Sequence, residues 1–333
     1  MQGQGARPQY TIGVDIAQEQ CAWAVLEGAT QQVVASGEVE RSPEALTRWA
    51  DMLHRRWPQA LVVLEATGGL ERAVRQALYA VGMAVVVANP KRVQRLRESA
   101  GWAKTDLQDA EALALWGWLF AQPQPQAEPE EERMRDLLRR QEQLMDMLHR
   151  ERMRLRLRHT QDAYLRKHIQ QHITHLEQQL QALEKEIQRQ PDLWTQENPE
   201  AGEDLTLLQS VPGVGLKTAL TLRLFMPELG HLDAKQVAAL SGTAPMARDS
   251  GKKRGKRRIR GGRRRIRRVL FMAALTWTRH KRGPLWEFYH RLRQRGKPTF
   301  VALVALMRRL LVILNAILRH RTPWDPQKAL AKT

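Results

Sequence analysis

Four acidic residues, Asp15, Glu65, Asp106 and Asp109, lie in segments whose patterns would bring their carboxylates to one point. Carboxylates that lie close together repel one another unless protons or cations neutralise them. Hard oxygen ligands select Mg²⁺, with Mn²⁺ as the alternative, and such ions stabilise the attacking and leaving oxygens of phosphoryl transfer. The four residues therefore predict a metal-dependent centre for chemistry on phosphate esters.

Two strands and one helix are predicted to carry these carboxylates. TIGVDIAQ, which contains Asp15, and the next apolar run, CAWAVLEG, favour a β-hairpin, and a Gly-Gly pair stops the strand that ends at Glu65. KTDLQDAEALALWGWL favours a helix, in which a three-residue spacing places Asp106 and Asp109 on one face. Each residue alone is more often a turn, capping or solvated residue, and Asp106 has the position of a helix N-cap. Their order and element types together favour the metal centre.

The rest of the chain is strongly basic. Its 54 Lys and Arg against 35 Asp and Glu give a formal net charge of +19 and a pI near 10.8. Such a charge indicates a polyanionic partner, although charge alone does not distinguish RNA from DNA.

Cysteine usage and hydropathy bound the compartment. The single cysteine, Cys21, excludes an intrachain disulfide and a Cys-rich zinc site, and it fits a reducing compartment. The N-terminus MQGQGARPQY has no apolar signal segment. Because Arg308, Arg309 and Asn315 interrupt the most apolar stretch, residues 300–318, we predict a buried helix there and no membrane span.

Shifts in composition divide the chain. AQPQPQAEPEE predicts a linker, and the following stretch, almost without Gly or Pro, predicts one or two long helices. Apolar residues in this stretch recur at steps of three and four, as in a coiled coil: Ile173, Leu176, Leu180, Leu183 and Ile187. That seam pairs either within the chain, as an antiparallel hairpin, or between subunits. A second break, PDLWTQENPEAGED, follows. The predicted segments are a catalytic domain at 10–121, a linker at 122–132, a helical segment at 133–190 and a C-terminal domain at 204–326.

The motif SVPGVGLKTAL predicts a tight turn between two helices, made by Pro212, Gly213 and Gly215. It is similar to a helix-hairpin-helix turn, in which free backbone amides at the next helix start bind phosphate without reading a base. Lys217 and Thr218 would then be phosphate contacts. A plain connection between helices is the alternative.

Residues 252–268 hold twelve Lys or Arg and no acid, directly after Ser250. Cations beside a hydroxyl suit a nucleophile that attacks a phosphodiester, because the developing negative charge needs them. The alternatives are a turn serine and a solvated basic tract; Ser241 is the competing serine and has no adjacent cation. The residues of this tract that are predicted to contact nucleic acid are Lys252, Lys253, Arg254, Lys256, Arg257, Arg258, Arg260, Arg263, Arg264 and Arg265.

Taken together, these motifs resemble the DEDD-type insertion-sequence transposases, the family of bridge-RNA-guided serine recombinases. The similarity runs from Ile12 to about Pro326 and rests on GVDIA, LEATGG, ANPKRV, KTDLQDA, SVPGVGLKTA and SGTAPMARDSGKKRG, in that order. It implies an α/β RNase H-like (RuvC-like) N-terminal domain, a helical coiled-coil segment and a mainly α-helical C-terminal transposase domain. Gln18 and Ser241 depart from the Lys and Ala expected there, and neither belongs to the catalytic set.

By motif, the resemblance identifies Asp15, Glu65, Asp106 and Asp109 with the DEDD carboxylates and Ser250 with the nucleophilic serine. It implies strand cleavage that leaves a phosphoserine and a free 3′ hydroxyl, acting on donor and target DNA with a non-coding guide RNA. It also implies a homodimer or homotetramer, with an active site composed from two subunits, in the nucleoid-associated cytoplasm of a bacterium or archaeon. The alternatives are a RuvC-like structure-specific nuclease that activates water, with an idle Ser250, and a non-catalytic nucleic-acid-binding protein.

Overall fold

The computed structural model describes residues 7–100, 105–121, 129–157, 162–246 and 258–327. The chain divides into two compact units, residues 1–126 and residues 127–333. The first unit is α/β and the second is mainly α-helical, as predicted.

A five-stranded mixed sheet forms the centre of the first unit. Its strands are β1 (Tyr10–Ile16), β2 (Gln20–Glu27), β3 (Gln32–Glu40), β4 (Leu61–Glu65) and β5 (Ala84–Ala88). Its helices are α1 (Pro43–Arg56), α2 (Glu71–Ala80), α3 (Pro90–Ala100) and α4 (Asp106–Phe120). The strand order is β3-β2-β1-β4-β5, with antiparallel pairing from β3 to β1 and parallel pairing from β1 to β5. This topology confirms the expected RNase H-like architecture, the predicted hairpin and the position of Glu65 at a strand end.

Small residues let α4 lie unusually close to the sheet. A Cβ atom on Gly13, in β1, would collide with the backbone of Ala110 and Ala114 in α4. Thr11 fixes the same contact, because its hydroxyl donates a hydrogen bond of 2.9 Å to the Ala114 carbonyl. A glycine inside a strand often marks such a close approach. The approach brings the start of α4 to the end of β1 that carries Asp15.

We expect Gly13→Ala to lower the free energy of unfolding of the first unit by about 1–3 kcal/mol, because α4 must move away from β1. Denaturant unfolding followed by near-ultraviolet circular dichroism measures the change. Gly215→Ala is the matched control, since Gly215 has a negative φ and no neighbouring atom within 4 Å of the added Cβ. Equal stabilities of the two variants would contradict this account of the close contact.

Eight helices and a two-stranded ladder make up the described part of the second unit. The helices are α5 (Pro129–Arg156), α6 (Ala163–Glu197), α7 (Pro199–Gln209), α8 (Leu216–Phe225), α9 (Ala234–Ser241), α10 (Arg264–His280), α11 (Pro284–Gln294) and α12 (Thr299–His320). The ladder pairs β6 (Pro245–Met246) with β7 (Arg258–Ile259).

The coiled-coil seam pairs within the chain. Cross-helix hydrogen bonds join Gln141 to Glu184 at 3.1 Å and Arg152 to Glu177 at 2.7 Å, so α5 and α6 run antiparallel. Leu144, Leu148, Ile173 and Leu176 form a buried cluster between the two helices. Of the two alternatives left open by the sequence, the structure adopts the intrachain hairpin for this seam.

Two predicted breaks are shorter than expected. The linker predicted at 122–132 overlaps α5, which begins at Pro129; residues 122–128 lie outside the described part. Proline is well tolerated in a first helical turn, where its missing N–H is not needed. The second break was expected from Pro191, but α6 continues through it to Glu197. Burial of Ile187 and Trp194 in the core offsets the cost of an internal proline, which is about 3 kcal/mol.

Helix α12 packs into the hydrophobic core of the second unit, and it is the buried helix predicted from the sequence. By length and composition it is the one helix in the described ranges that is able to cross a membrane, and 56% of its apolar window is buried within the protein. Its buried Asn315 is satisfied: the amide oxygen accepts a hydrogen bond from the Gly230 N–H and the amide nitrogen donates to the Leu232 carbonyl, each at 2.8 Å. The polar residue therefore fixes a loop in the core.

Candidate carboxylate centre and nucleic-acid interface

The four predicted carboxylates gather at one end of the sheet. Val14 pairs with Leu64 in parallel register, so Asp15 and Glu65 follow at the next position of adjacent strands. Asp106 and Asp109 both lie in the first turn of α4. The charges of Asp109, Glu65 and Asp106 all act on Asp15. The structure therefore brings these four residues together.

The pKa of Asp15 reflects the negative charges of the other three carboxylates. Its partial burial, followed by the charges of Asp109, Glu65 and Asp106, raises its pKa from 3.8 to about 6. A cation would relieve both effects, so the residues present fit a hard divalent metal ion. Within the described ranges, however, no three His, Cys, Asp or Glu residues are close enough together to hold a metal ion. The four side chains thus have the donor chemistry that the ion needs, at separations that binding of the ion would have to shorten.

The raised pKa of Asp15 predicts a specific pH dependence of stability in EDTA. Because the folded protein holds this proton more tightly, the stabilisation is present below the usual pKa of 3.8 and is lost as pH rises through about 6. The unfolding free energy of wild type minus that of Asp15→Asn should fall by about 1–3 kcal/mol between about pH 4 and pH 7. Denaturant unfolding of both proteins across this range measures it. A flat or rising difference would contradict the crowding of charge around Asp15.

Arg97, in α3, reaches into the carboxylate centre. Its guanidinium donates a hydrogen bond to the Asp109 carboxylate, and this contact, with the charges of Asp109 and Glu65, raises the pKa of Arg97. Sequence reasoning missed this residue, because a pair twelve residues apart on two helices leaves no periodic signal. Arg97 forms an ion pair with Asp109. A metal ion that binds Asp109 would therefore have to displace Arg97 from this carboxylate or share the carboxylate with it.

We expect Arg97→Ala to bind Mn²⁺ about tenfold more tightly than wild type, since a nearby positive charge that repels the ion is removed. Paramagnetic resonance of free Mn²⁺ measures the affinity without requiring activity. Arg95→Ala, which removes an exposed arginine from the same helix, is the control and should leave the affinity unchanged. Weaker binding by Arg97→Ala would show that Arg97 orients Asp109 for the ion instead.

Glu71 fixes the loop that follows Glu65, and the sequence analysis missed this role. Its carboxylate accepts hydrogen bonds from the Thr67 hydroxyl at 2.7 Å and the Gly69 N–H at 2.8 Å. Burial opposes ionisation, yet the bonds from Thr67 and Gly69 lower the pKa of Glu71 below its usual range. Gly68 has a φ of +83°, which favours glycine in this loop. The sequence signal for this role was an acidic residue two positions after the Gly68-Gly69 pair.

The capping role considered for Asp106 is wrong. Thr105 is the N-cap of α4, and its hydroxyl accepts a hydrogen bond of 3.3 Å from the Gln108 N–H. Asp106 is the first helical residue, where its charge interacts favourably with the helix dipole. Its carboxylate is therefore not needed to cap the helix.

The two candidate serines differ in what the structure says of them. Ser250 lies outside the described residues, as do Lys252, Lys253, Arg254, Lys256 and Arg257. Ser241 is fully buried, and its hydroxyl is 2.9 Å from the Thr243 hydroxyl and 3.1 Å from the Ala238 carbonyl, to which it donates. The geometry makes Ser241 a core residue that DNA does not reach in this conformation.

Part of the predicted basic interface is engaged inside the fold. Arg263 donates two hydrogen bonds of 2.6 Å to the Glu228 carboxylate. Arg265 donates to Glu142 at 2.8 Å, and its guanidinium lies 4.1 Å from the centre of the Phe225 ring. These two arginines anchor the start of α10 through intrachain ion pairs, and their predicted contacts with nucleic acid stay predictions. Of the other predicted contacts, Arg258 lies in β7, and Arg260 and Arg264 are exposed.

The predicted turn between α7 and α8 is present. Gly213 has a φ of +87°, and Gly215 is the N-cap of α8 without a side-chain cap. Thr218 donates its N–H to the Gly215 carbonyl at 2.9 Å, within the turn itself. Lys217 lies with its Nζ 3.3 Å from Met145 Sδ, and burial and the charge of Arg268 lower its pKa. Lys217 thus contacts α5, although its residue remains exposed overall.

Comparisons with known proteins place the chain. A DEDD-type family model described as a transposase matches residues 12–164, and a model described as the transposase IS116/IS110/IS902 family matches residues 205–290. The pilin gene-inverting protein of Moraxella lacunata is 27% identical over 324 residues, which is 94% of this chain and 97% of that protein. A protein of insertion element IS116 from Streptomyces clavuligerus is 30% identical over 160 residues, 47% of this chain and 40% of its own length. RuvC from T. thermophilus, solved with a Holliday junction substrate, shares 17% identity with a TM-score of 0.27, over 32% of this chain and 90% of that one. The chain belongs to the IS110/IS116/IS902 family of transposases.

Proposed function

We propose that this transposase cuts and rejoins DNA through a covalent phosphoserine formed by Ser250, with Asp15, Glu65, Asp106 and Asp109 as ligands of Mg²⁺ or Mn²⁺. The observation that carries the proposal is the action of three carboxylate charges on Asp15, in a chain of net charge +19. A relative that spans nearly the whole chain is named for inverting a gene, which supports exchange of strands over simple degradation.

The proposed chemistry balances without a further reagent. The Ser250 Oγ attacks the scissile phosphorus; the Oγ–P bond forms as the P–O3′ bond breaks, and the serine proton passes to the departing 3′ oxygen. Rejoining is the reverse reaction with another strand's 3′ hydroxyl, which restores Ser250. A bound divalent ion would polarise the phosphate and neutralise charge on the reacting oxygens. Lys252 and Lys253 follow Ser250 closely in sequence, as cations that offset developing negative charge would.

The partners follow from the same resemblance and remain part of the proposal. They are donor and target DNA, a non-coding guide RNA, and further copies of the chain in a dimer or tetramer in the cytoplasm, associated with the nucleoid. As the resemblance implies, the active site would be composed from two subunits, with the carboxylates supplied by one and Ser250 by the other. Sequencing the RNA that co-purifies with the protein tests the guide: one discrete species is expected, and a random sample of cellular RNA would oppose it.

A single assay separates the proposal from its two alternatives. Labelled DNA is incubated with protein in Mg²⁺ or in EDTA and resolved on a denaturing gel after protease-free denaturation. A Mg²⁺-dependent protein–DNA adduct is expected. A water-activating nuclease would give Mg²⁺-dependent cleavage without an adduct, and a non-catalytic binding protein would give neither product.

A further inference from the structure

A cleft lies beside the turn that joins α7 to α8. It has a volume of about 430 Å³ and is lined by the turn, the end of α10, the start of α11 and the C-terminal segment. Pro212, Trp277, Arg282, Pro284 and Trp324 are among its lining residues. Its size falls in the range of pockets that hold small molecules or parts of larger ones, about 300–1,000 Å³.

An aromatic corner forms one wall of this cleft. The rings of Trp277 and Trp324 lie 6.0 Å apart at an angle of 58°. Trp277 is buried, with 7% of its surface exposed, and a Cβ on Gly283 would lie 3.0 Å from its ring, so its position is fixed. Trp324 is half-buried, and its backbone N–H donates a hydrogen bond of 2.8 Å to the Ser210 hydroxyl. Trp324 is thus a partly open aromatic ring held in place by its backbone.

One cationic side chain, Arg282, lines the same cleft. Residues 279–282 read Arg-His-Lys-Arg, and His280 and Arg282 belong to the lining. The left-handed conformation of Lys281, with a φ of +51°, ends α10 between these two residues. Asp325 is the neighbouring acid, and its carboxylate accepts a hydrogen bond from the Gln327 N–H at 2.8 Å. The described lining itself contains no acidic residue, so the cleft is complementary to a polyanion.

We infer that this cleft binds an unstacked base of single-stranded nucleic acid, with the base against Trp324 and the adjoining phosphate near Arg282. Bases of a duplex stack on one another inside the helix, whereas a single strand offers them to aromatic side chains. Apolar walls and a partly exposed aromatic ring suit the base, and the charge of Arg282 suits its phosphate. The inference rests on the proposed function, action on nucleic acid, and adds that this cleft binds the single-stranded form.

Binding of a single-stranded oligonucleotide of about 12 nucleotides, compared with its duplex and with the same strand carrying abasic sites, tests the inference. Trp324→Ala should weaken single-strand binding about tenfold and leave duplex and abasic-strand binding within about twofold, because stacking needs the base. Arg282→Gln should lower the slope of log affinity against log salt by about 0.7, the value of one phosphate contact on a single strand. Fluorescence anisotropy measures all of these.

Trp286→Ala is the matched control, since Trp286 is a half-buried tryptophan of the same unit beside His290 but lies outside the cleft. It should bind all three probes as wild type does. Pro326→Gln, at the exposed rim, tests the cleft without adding a charge or removing an anchored ring and should give the same single-strand-selective loss.

Equal losses of Trp324→Ala on single strand and duplex, or a loss of this variant that persists on the abasic strand, would overturn the inference. Unchanged single-strand binding in the variants of Trp324 and Pro326 would do the same and would favour another occupant of the cleft, such as a proline-containing peptide. The proposed function is judged separately: a wild-type protein that binds the single strand through its bases but forms no adduct would refute the serine chemistry and leave the cleft assignment intact.

Discussion

Asp15→Asn, Glu65→Gln and Asp109→Asn are each expected to reduce strand cleavage by at least about 10²–10³-fold while leaving nucleic-acid binding nearly unchanged. Each change removes one negative charge from the carboxylate centre but preserves the side chain's shape. Cleavage of labelled DNA in Mg²⁺, beside binding in EDTA, separates the two effects. Recombination at the wild-type rate by any of these variants would remove that residue from the centre.

Two variants of α4 sharpen this test. Glu111→Gln removes a carboxylate from the same helix, two residues after Asp109, and should keep full cleavage because Glu111 is not among the residues whose charge acts on Asp15. Asp106→Asn should lose cleavage and lose less stability than a missing N-cap costs, since Thr105 caps the helix and only the interaction with the helix dipole is removed. A stability loss of about 1 kcal/mol in Asp106→Asn would contradict that assignment of the cap.

The residues of the carboxylate centre were predictable because they lie in periodic elements. Alternation and apolar runs locate β1 and β4, and helical spacing places Asp106 and Asp109 on one face. Gly13 was a signal that the sequence offered and that went unused, since a glycine two residues before Asp15 allows α4 to approach the strand. The positions of these carboxylates thus follow from local patterns and one close contact.

Features that depend on tertiary packing were not predictable in the same way. The pairing of Arg97 with Asp109 depends on how α3 and α4 pack. In a chain with 54 Lys and Arg, nothing in the sequence distinguishes Arg97 from the other basic residues. Burial decided the course of α6 past Pro191, where Trp194 packs into the core and a local helix-breaking signal loses to tertiary contacts. A seam of Ile and Leu looks the same whether its partner is α5 or another subunit, so only the fold selects the hairpin.

Ser250→Ala is expected to abolish the covalent protein–DNA adduct completely, while binding to DNA stays close to that of wild type. The variant loses one hydroxyl and no charge, so the salt dependence of binding should not change. Denaturing gels of labelled DNA measure the adduct, and mass spectrometry of the protease digest identifies the modified residue. The expected modification is a phosphoester on Ser250.

Ser241→Ala provides the control, since Ser241 is the competing hydroxyl. Its side chain is buried and bonded to Thr243 and Ala238, so an in-line approach to a phosphodiester would require the core to open. Ser241→Ala should therefore keep the adduct and lose about 1–3 kcal/mol of stability at most, from the hydrogen bonds it breaks. Persistence of the adduct in Ser250→Ala would refute the serine mechanism; cleavage without any adduct in the wild type would instead favour a nuclease in which the carboxylate centre activates water.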